Sequence, residues 1–186
     1  MSSATGPTAD VSVRIAWNDD ARGIAEVQLA AWRVSYADLL PAAELEAFDV
    51  TRFAEGWHTS LTRPKDARNR VLVALERNRI VGYAIVSPCA DPDSDPVADG
   101  ELSDFTVLPT EQRKGHGSRL QQAAVDTLAA DRFTRALTWV GATDDTLRAF
   151  MAAAGWEPDG AHRELDLYGD GSVTVKQIRL HAAITG

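Results

Sequence analysis

Apolar residues recur at two different spacings along the chain, and the change of spacing predicts where strands give way to helices. Residues 11–16 alternate apolar and polar side chains, which is typical of a strand. From residue 24 to residue 34 the apolar side chains recur every three or four positions, which predicts a helix. Pro41 is placed to begin a second short helix, and apolar residues four apart at 53–61 continue the helical signal. The first sixty residues are therefore predicted to form a strand, a helix and a broken helical segment.

The rest of the chain shows the same two patterns in shorter pieces. Strands at 71–75 and 80–86 are joined by a short connection, which predicts an antiparallel hairpin. Residues 87–100 are rich in proline and aspartate and are predicted to form a loop. The further elements predicted are a strand at 101–108, a helix from about Gly117, a strand at 136–140, a helix at 143–154 and a strand pair at 164–168 and 173–180. The order βα(α)βββαβαββ indicates an α/β chain with mixed strand directions, and without a repeat or linker we expect one domain over residues 11–183.

Composition limits the kinds of partner and the compartment. The chain has 186 residues and a net charge of -8, and 45% of its residues are hydrophobic, which suits a globular domain with a substantial core. Without a basic tail, nucleic acid is not the expected partner, and no apolar run approaches the roughly 20 residues of a membrane span. Cys89 is the one cysteine, so we expect a reducing compartment, the cytoplasm. Residues 1–10 are small and polar and lack the features of a signal peptide, so we expect a disordered leader.

One short stretch combines glycines with positive charge at a predicted strand-to-helix junction. It follows an apolar run at 102–108 and consists of Gln112, Arg113, Lys114, Gly115, His116, Gly117 and Ser118. The two glycines allow a sharp turn with positive φ and leave room for an incoming group. A helix start presents unpaired N–H groups and a partial positive charge. These features predict a site for a phosphate or pyrophosphate, and an ordinary turn that binds nothing is the alternative.

Two other classes of phosphate-binding protein fit this stretch less well. A P-loop nucleoside triphosphatase would need Lys-Ser or Lys-Thr after the second glycine, and neither follows Gly117. A dinucleotide site of the Rossmann type has a third glycine and follows an early strand, whereas this loop follows a late one. Both classes are therefore disfavoured.

The loop and the order of the elements together resemble the GCN5-related N-acetyltransferase (GNAT) superfamily. The family pattern is glutamine or arginine, two residues, glycine, one residue, then glycine or alanine. It stands here from Gln112 to Gly117, after a strand that ends Val107-Leu108-Pro109. The second family motif is a strand, a helix with Phe-Tyr near its end and then Gly-Phe, and it stands here as Trp139-Val140, Phe150-Met151 and Gly155-Trp156. The hairpin at 73–84 is also similar to the second and third strands of the family.

The resemblance implies a GNAT-like acyl-CoA N-acyltransferase fold, α/β (α+β), with a central mixed, mostly antiparallel sheet of about seven strands flanked by helices. It implies acetyl-CoA (coenzyme A) as acyl donor, with the pyrophosphate on the amides of the loop and the pantetheine on the backbone of the strand before it. The implied cofactor-binding residues are Phe105, Thr106, Val107, Gln112, Arg113, Lys114, Gly115, His116, Gly117, Ser118, Asp144 and Phe150. For Asp144, capping of the helix is the alternative role. Family members are often dimers, so a homodimer is a possible assembly.

The implied reaction moves an acetyl group to a primary amine of a small molecule or peptide, and it needs a group that accepts a proton. An alkyl amine has a pKa of about 10.4, so its neutral form is scarce at pH 7. Glu101 is the first candidate, because a glutamate at that spacing is the general base in the histone-acetyltransferase branch of the family. A solvated strand-end carboxylate is the alternative for Glu101, and Asp104 is a weaker candidate. The usual general acid, a tyrosine, is replaced by Met151, so Tyr36, Tyr83 or a water would have to act. We therefore assign Glu101 and Tyr36 as catalytic residues.

The acceptor amine is expected beside aromatic side chains. Trp32 and Tyr36 lie in a segment that is similar to the family segment lining the acceptor site, and with Tyr83 they are the predicted substrate-binding residues. Aromatic packing is the alternative for Trp32. The four aspartates of the acidic loop, Asp91, Asp93, Asp95 and Asp99, could attract a cationic amine, although a solvated loop fits its composition better.

Two further expectations concern metals and a different class of function. His58, His162 and His181 lack metal-ligand spacing, so we expect no metal. The replacement of the family tyrosine by Met151 favours a second hypothesis, an acyl-CoA-binding sensor or accessory module with little catalysis.

Overall fold

The computed structural model describes residues 10–184, and the predicted order of strands and helices is present in them. The strands described are β1 (Val11–Ile15), β2 (Arg70–Glu76), β3 (Arg79–Pro88), β4 (Asp99–Val107), β5 (Arg135–Gly141), β6 (Glu157–Asp166) and β7 (Thr174–Ala183). The α-helices described are α1 (Ala21–Ser35), α2 (Ala42–Glu46), α3 (Val50–Thr62), α4 (His116–Ala130) and α5 (Asp145–Ala153). Short 3₁₀ helices lie at Asn18–Asp20 and Pro109–Glu111. Apart from Asp10, the predicted leader lies outside the described residues.

The seven described strands form one mixed sheet in the order β1-β2-β3-β4-β5-β7-β6. β1 pairs antiparallel with β2, and β7 pairs antiparallel with both β5 and β6. β4 and β5 run parallel through three residue pairs, from Asp99–Arg135 to Glu101–Leu137. The fold class predicted from the sequence is confirmed.

The hairpin between β2 and β3 closes through two residues with left-handed backbone. Arg77 has φ 49° and Asn78 has φ 68°. Two consecutive left-handed residues are typical of a type I′ turn, whose twist matches that of the flanking strands. The hairpin predicted at this position is therefore confirmed.

The described chain divides into two compact units, each with its own buried apolar residues. The first unit comprises residues 10–65, 70–84 and 104–123, and its buried side chains include Ile24, Leu29, Val73, Val81 and Leu120. The second unit comprises residues 66–69, 85–103 and 124–184, and its buried side chains include Leu102, Leu128, Leu137, Met151 and Trp156. The boundaries of one domain at 11–183 stay a prediction. None of the described helices has the length and apolar character needed to cross a membrane.

Several strands extend beyond their predicted bounds, and β4 and β6 do so at their first residues. β4 begins at Asp99, inside the predicted loop, and β6 begins at Glu157 rather than at 164. The pairing of β6 with β7 shifts register between Pro158 and His162, and Gly160 has φ 91°. A bulge of this kind accommodates turn-forming residues inside a strand. The strand predicted from residue 164 therefore begins seven residues earlier, at Glu157.

Candidate active site

The glycine-containing loop lies between the 3₁₀ helix Pro109–Glu111 and α4, within the first unit. Arg113 and Gly115 have left-handed backbone, with φ 62° and 83°. Gly117 lies in the first turn of α4, which begins at His116, close to the predicted start near Gly117, so Gly115 is the glycine that takes the positive φ of the turn. Left-handed geometry is uncommon for an arginine, and strain of this kind is concentrated at functional sites. The carbonyl of Gly115 accepts the Arg119 N–H at 3.2 Å, so the helical hydrogen bonds of α4 begin at the loop, and a helix start of this kind is able to offer N–H groups to an anion.

One of the loop's positive charges already has a carboxylate partner. Lys114 Nζ lies 2.6 Å from Glu111 Oε2, and Arg79 Nη2 lies 2.6 Å from Glu111 Oε1. The Glu111 side chain is only 10% exposed. The hydrogen bonds from Lys114 and Arg79 lower the pKa of the Glu111 carboxyl to about 2. The ammonium of Lys114 is therefore engaged by Glu111, and we expect it to contribute less to anion binding than the sequence suggested.

Two arginines beside Lys114 keep exposed guanidinium groups. Arg113 and Arg119 are both exposed. Arg119 Nη1 lies 2.9 Å from the position that a Cβ on Gly115 would occupy, and it donates a long hydrogen bond of 3.5 Å to the carbonyl oxygen of Lys114. Arg119 therefore lies against the loop, and its flexible guanidinium could move aside for a Cβ at position 115, where the positive φ is what favours glycine.

The imidazole of His116 does not face the solvent at the loop. The side chain is 2% exposed, and Nε2 lies 3.6 Å from Glu76 Oε2. Because the imidazole is buried, only the backbone N–H of His116 is placed for the predicted contact with a cofactor. The imidazole lies beside Glu76 instead.

Three residues with acidic protons come together in the first unit. Asp104 interrupts β4 with φ 47°. Burial, and after it the negative charge of the Asp104 carboxylate, raises the pKa of both Tyr36 and Tyr83. The surrounding protein also raises the pKa of Asp104 itself, although this side chain keeps contact with solvent. Both tyrosines are therefore protonated at neutral pH beside a carboxyl group that holds its proton more tightly than usual.

Aromatic contacts fix the positions of these two tyrosines. Trp32 packs edge to face against Tyr36 with ring centroids 5.8 Å apart, and Trp57 packs against Tyr83 at 5.1 Å. Trp32 also contacts Phe53 at 5.4 Å. The aromatic packing proposed as the alternative for Trp32 is therefore present, and it supports Tyr36. Tyr83 is 1% exposed, so Tyr36 is the more accessible of the two hydroxyls.

The segment of β4 after Asp104 lies against β3 within the first unit. Phe105, Thr106 and Val107 are each half-buried. A Cβ on Gly82 of β3 would lie 2.8 Å from the carbonyl oxygen of Thr106, so only glycine permits this close approach. Three of the nine residues of β4, Asp99 to Glu101, have a ladder partner in β5 among the described residues.

Three of the predicted site residues, Glu101, Asp144 and Phe150, lie in the second unit, whereas Gln112 and Ser118 lie with the loop in the first. Glu101 pairs with Leu137. Burial and, more weakly, the charge of Glu101 raise the pKa of the Cys89 thiol. Asp144 Oδ1 accepts the Leu147 N–H at 2.9 Å, so the capping role weighed for Asp144 is present. Phe150 is half-buried on α5.

The residue that replaces the family tyrosine is buried inside the second unit. Met151 is 0% exposed and follows Phe150 on α5. A side chain in this position contributes to the core of the unit and faces no solvent. The position gives α5 no group that could donate a proton, as the sequence indicated.

Most carboxylates of the acidic loop are held by arginines. Arg179 contacts Asp91 at 3.0 Å and Asp93 at 2.7 Å, and the Arg135 Nε donates to Asp99 at 2.7 Å. The hydrogen bonds from Arg179 lower the pKa of Asp93 to about 2. Asp99 is 1% exposed, so the prediction of a solvated loop is wrong for this residue. Carboxylates neutralised in this way attract a cationic amine less strongly than the sequence suggested.

Comparisons with known proteins agree on one family. Residues 29–156 match the model of the acetyltransferase (GNAT) family. The uncharacterized N-acetyltransferase YuaI of Bacillus subtilis (strain 168) is 25% identical over 130 residues, which cover 70% of this chain and 71% of YuaI. The ribosomal-protein-S5-alanine acetyltransferase of Vibrio fischeri has a similar fold, with a TM-score of 0.71, 19% identity and 96% of each chain covered. The structure of yncA from Salmonella typhimurium with its cofactor acetyl-CoA gives a TM-score of 0.66, with 15% identity and 95% of each chain covered.

Proposed function

The chain belongs to the acetyltransferase (GNAT) family, and from this premise we propose that it transfers the acetyl group of acetyl-CoA to a primary amine of a small molecule or peptide. The observation that carries the proposal is the loop before α4, where Arg113 and Gly115 are left-handed inside the segment that matches the family. The cytoplasmic location and the homodimer expected from the sequence stay predictions.

The loop supports a coenzyme A donor because its parts fit a pyrophosphate. The start of α4 offers backbone N–H groups, and the exposed guanidinium groups of Arg113 and Arg119 offer charge-assisted hydrogen bonds. When bound, the thioester would supply an activated acyl group. We propose that the backbone of Phe105, Thr106 and Val107 orients the pantetheine, as one strand added to another. For Asp144, which already caps α5, we no longer propose a part in binding.

The environment of Asp104 supports this residue as the group that takes the proton of the amine. A general base works best when its pKa lies close to the operating pH, and the pKa of Asp104 is raised in that direction. Tyr36, whose hydroxyl stays protonated, is the proposed donor of a proton to the departing thiolate. Glu101, proposed from the sequence, is the alternative base. Trp32 and Tyr83 complete the proposed acceptor site as its apolar walls.

Release of free thiol from acetyl-CoA tests the proposal. The full chain is incubated with acetyl-CoA and a panel of polyamines, amino acids, aminoglycosides and peptides with free N-termini. We expect turnover with at least one amine above the rate without amine, and formation of the acetylated product by mass spectrometry. Gly117→Trp, which fills the first turn of α4, should abolish coenzyme A binding. Unchanged coenzyme A affinity in this variant would contradict the assignment of the loop.

A second candidate function is an acyl-CoA-binding sensor, and the burial of Met151 favours it. Since Met151 is 0% exposed, α5 supplies no proton donor at the position where the family usually has one. Tight coenzyme A binding without turnover on any amine would support the sensor. Turnover that Tyr36→Phe reduces would support the enzyme.

A further inference from the structure

Glu76, Glu111 and His116 form a cluster that the proposed reaction does not use. They lie at the end of β2, in the 3₁₀ helix before the loop and at the start of α4, and all three belong to the first unit. One nitrogen of the imidazole and one oxygen of each carboxylate lie within 4.8 Å of one another. We propose that this cluster binds a divalent transition-metal ion, with Zn²⁺ as the best match.

The imidazole of His116 is the observation that points to a ligand. The side chain is 2% exposed and its Nε2 has no hydrogen-bond partner among the described residues. Leaving a buried nitrogen unpaired is costly, and such groups are rare in folded proteins. Nε2 lies 3.6 Å from Glu76 Oε2, too far for a hydrogen bond but suitable for two ligands of one ion. A bound metal ion would use the lone pair that the protein leaves unused.

The donor atoms and their spacing favour zinc over magnesium. One imidazole nitrogen with two carboxylate oxygens suits zinc and similar transition metals, whereas magnesium prefers oxygen ligands alone. Ligands of tetrahedral zinc at about 2.0–2.2 Å lie roughly 3.3–3.6 Å apart. The distance from His116 to Glu76 already falls at this value, and the remaining separations need to shorten by at most about 1.5 Å. A water molecule would take the fourth position.

Lys114 is the cation that a metal ion must displace. Its ammonium lies 2.6 Å from Glu111 Oε2, and its side chain is 52% exposed, so it can swing into solvent. Arg79 would keep the other oxygen of Glu111, at 2.6 Å. Once Lys114 has moved, the two carboxylates and Arg79 leave one excess negative charge to meet the metal. We assign Glu111 Oε2, the oxygen that Lys114 holds, as the metal ligand, so the metal ion and Lys114 compete for it.

The position of the cluster gives metal binding a structural consequence. Glu111 precedes the loop and His116 follows it, while Glu76 belongs to the β2–β3 hairpin. An ion held by all three would tie both ends of the loop to the hairpin. Metal binding does not depend on the proposed acetyl transfer, and it can be measured without cofactor.

Calorimetric titration of the full chain with Zn²⁺, and with Mg²⁺ for comparison, tests the site. We expect one zinc ion per chain and no measurable binding of magnesium. His116→Gln and Glu76→Gln should each weaken zinc binding at least about tenfold, because loss of even an outer-shell partner costs that much. Lys114→Gln should tighten zinc binding about two- to fivefold by removing the competing ion pair. His162→Gln, an exposed histidine outside the cluster, should match the unmodified chain.

Substitution of Co²⁺ gives an independent readout of the ligands. A tetrahedral site with one imidazole should show strong visible d–d absorption that Glu76→Gln weakens. Absence of zinc binding, or zinc binding that survives both His116→Gln and Glu76→Gln, would overturn the proposal. Weaker zinc binding in Lys114→Gln would overturn the competition with Lys114. If circular dichroism shows that His116→Gln does not fold, zinc binding by Glu76→Gln tests the proposal alone. The fold should tolerate this second substitution, because the Glu76 side chain is 32% exposed.

Discussion

Replacing Asp104 with asparagine distinguishes the effect of this carboxyl group on kcat/KM from its effect on the free energy of unfolding. Asparagine has the same shape and tolerates φ 47° as readily as aspartate, so the backbone cost does not change. Burial raises the pKa of the Asp104 carboxyl above its ordinary value of 3.8. The native state therefore binds this proton more tightly than the unfolded chain, and the ionised carboxylate lowers stability above the native pKa. Asp104→Asn should be more stable than the unmodified chain at pH 7, and the difference should vanish as the pH falls below 3.8.

The expected magnitudes differ for folding and for activity. The gain in unfolding free energy is small, because the Asp104 side chain keeps contact with solvent. Asp104→Gly adds a backbone term: it removes a left-handed cost of about 1–2 kcal/mol and adds about 0.5–1 kcal/mol of chain entropy. We therefore expect a net further gain of up to about 1.5 kcal/mol. If Asp104 is the general base, kcat/KM falls by about 10²–10⁴, or about 3–5 kcal/mol of transition-state stabilisation.

Two measurements check this prediction, with Glu101→Gln as the matched control. Urea unfolding at pH 7 and at an acidic pH measures stability, and thiol release against pH measures kcat/KM. We expect Asp104→Asn to lose the acidic limb of the pH profile, where kcat/KM rises as the base loses its proton, while Glu101→Gln keeps it. The reasoning is refuted if Asp104→Asn retains the wild-type profile and Glu101→Gln loses it. Lower stability of Asp104→Asn at pH 7 would refute the argument from burial.

Three further predictions concern the loop and the second unit. Gly115→Ala and Gly155→Ala each place a Cβ at positive φ, 83° and 88°, and each should lower the unfolding free energy by about 1 kcal/mol in urea. Only Gly115→Ala should also weaken coenzyme A binding in calorimetry. Equal coenzyme A affinities of the two variants would contradict the loop assignment. Met151→Tyr enlarges a fully buried side chain, so it should cost about 1–3 kcal/mol in thermal unfolding and leave kcat no higher; a rise in kcat would contradict the core role. Arg179→Met leaves the Asp159 carboxylate, 14% exposed, without its cation and should cost about 3 kcal/mol in urea unfolding; a neutral change would show that the ion pairs add little.

The elements that the sequence predicted well have a local signal. α1 shows its periodicity in its own residues, and the β2–β3 hairpin has Asn78 in its turn. The segment from Pro158 to Gly160 carries no strand signal because these residues favour turns in isolation, and only the pairing with β7 makes them part of a strand. The left-handed backbone of Arg113 had no signal either, since arginine has no preference for that region.

Pairings between residues far apart in the chain decide which charges of the candidate site are available, and no periodicity reveals them. Arg179 is 88 positions from Asp91, and Arg79 is 32 positions from Glu111. Local composition made the acidic loop a possible attractant for an amine, but Arg179 and Arg135 already neutralise much of it. Composition also made Lys114 a phosphate ligand, although Glu111 holds it. Because Glu111 holds Lys114, the available positive charge at the loop lies on Arg113 and Arg119. Because arginines neutralise much of the acidic loop, Asp104 is better supported than that loop as the carboxylate that meets the acceptor amine.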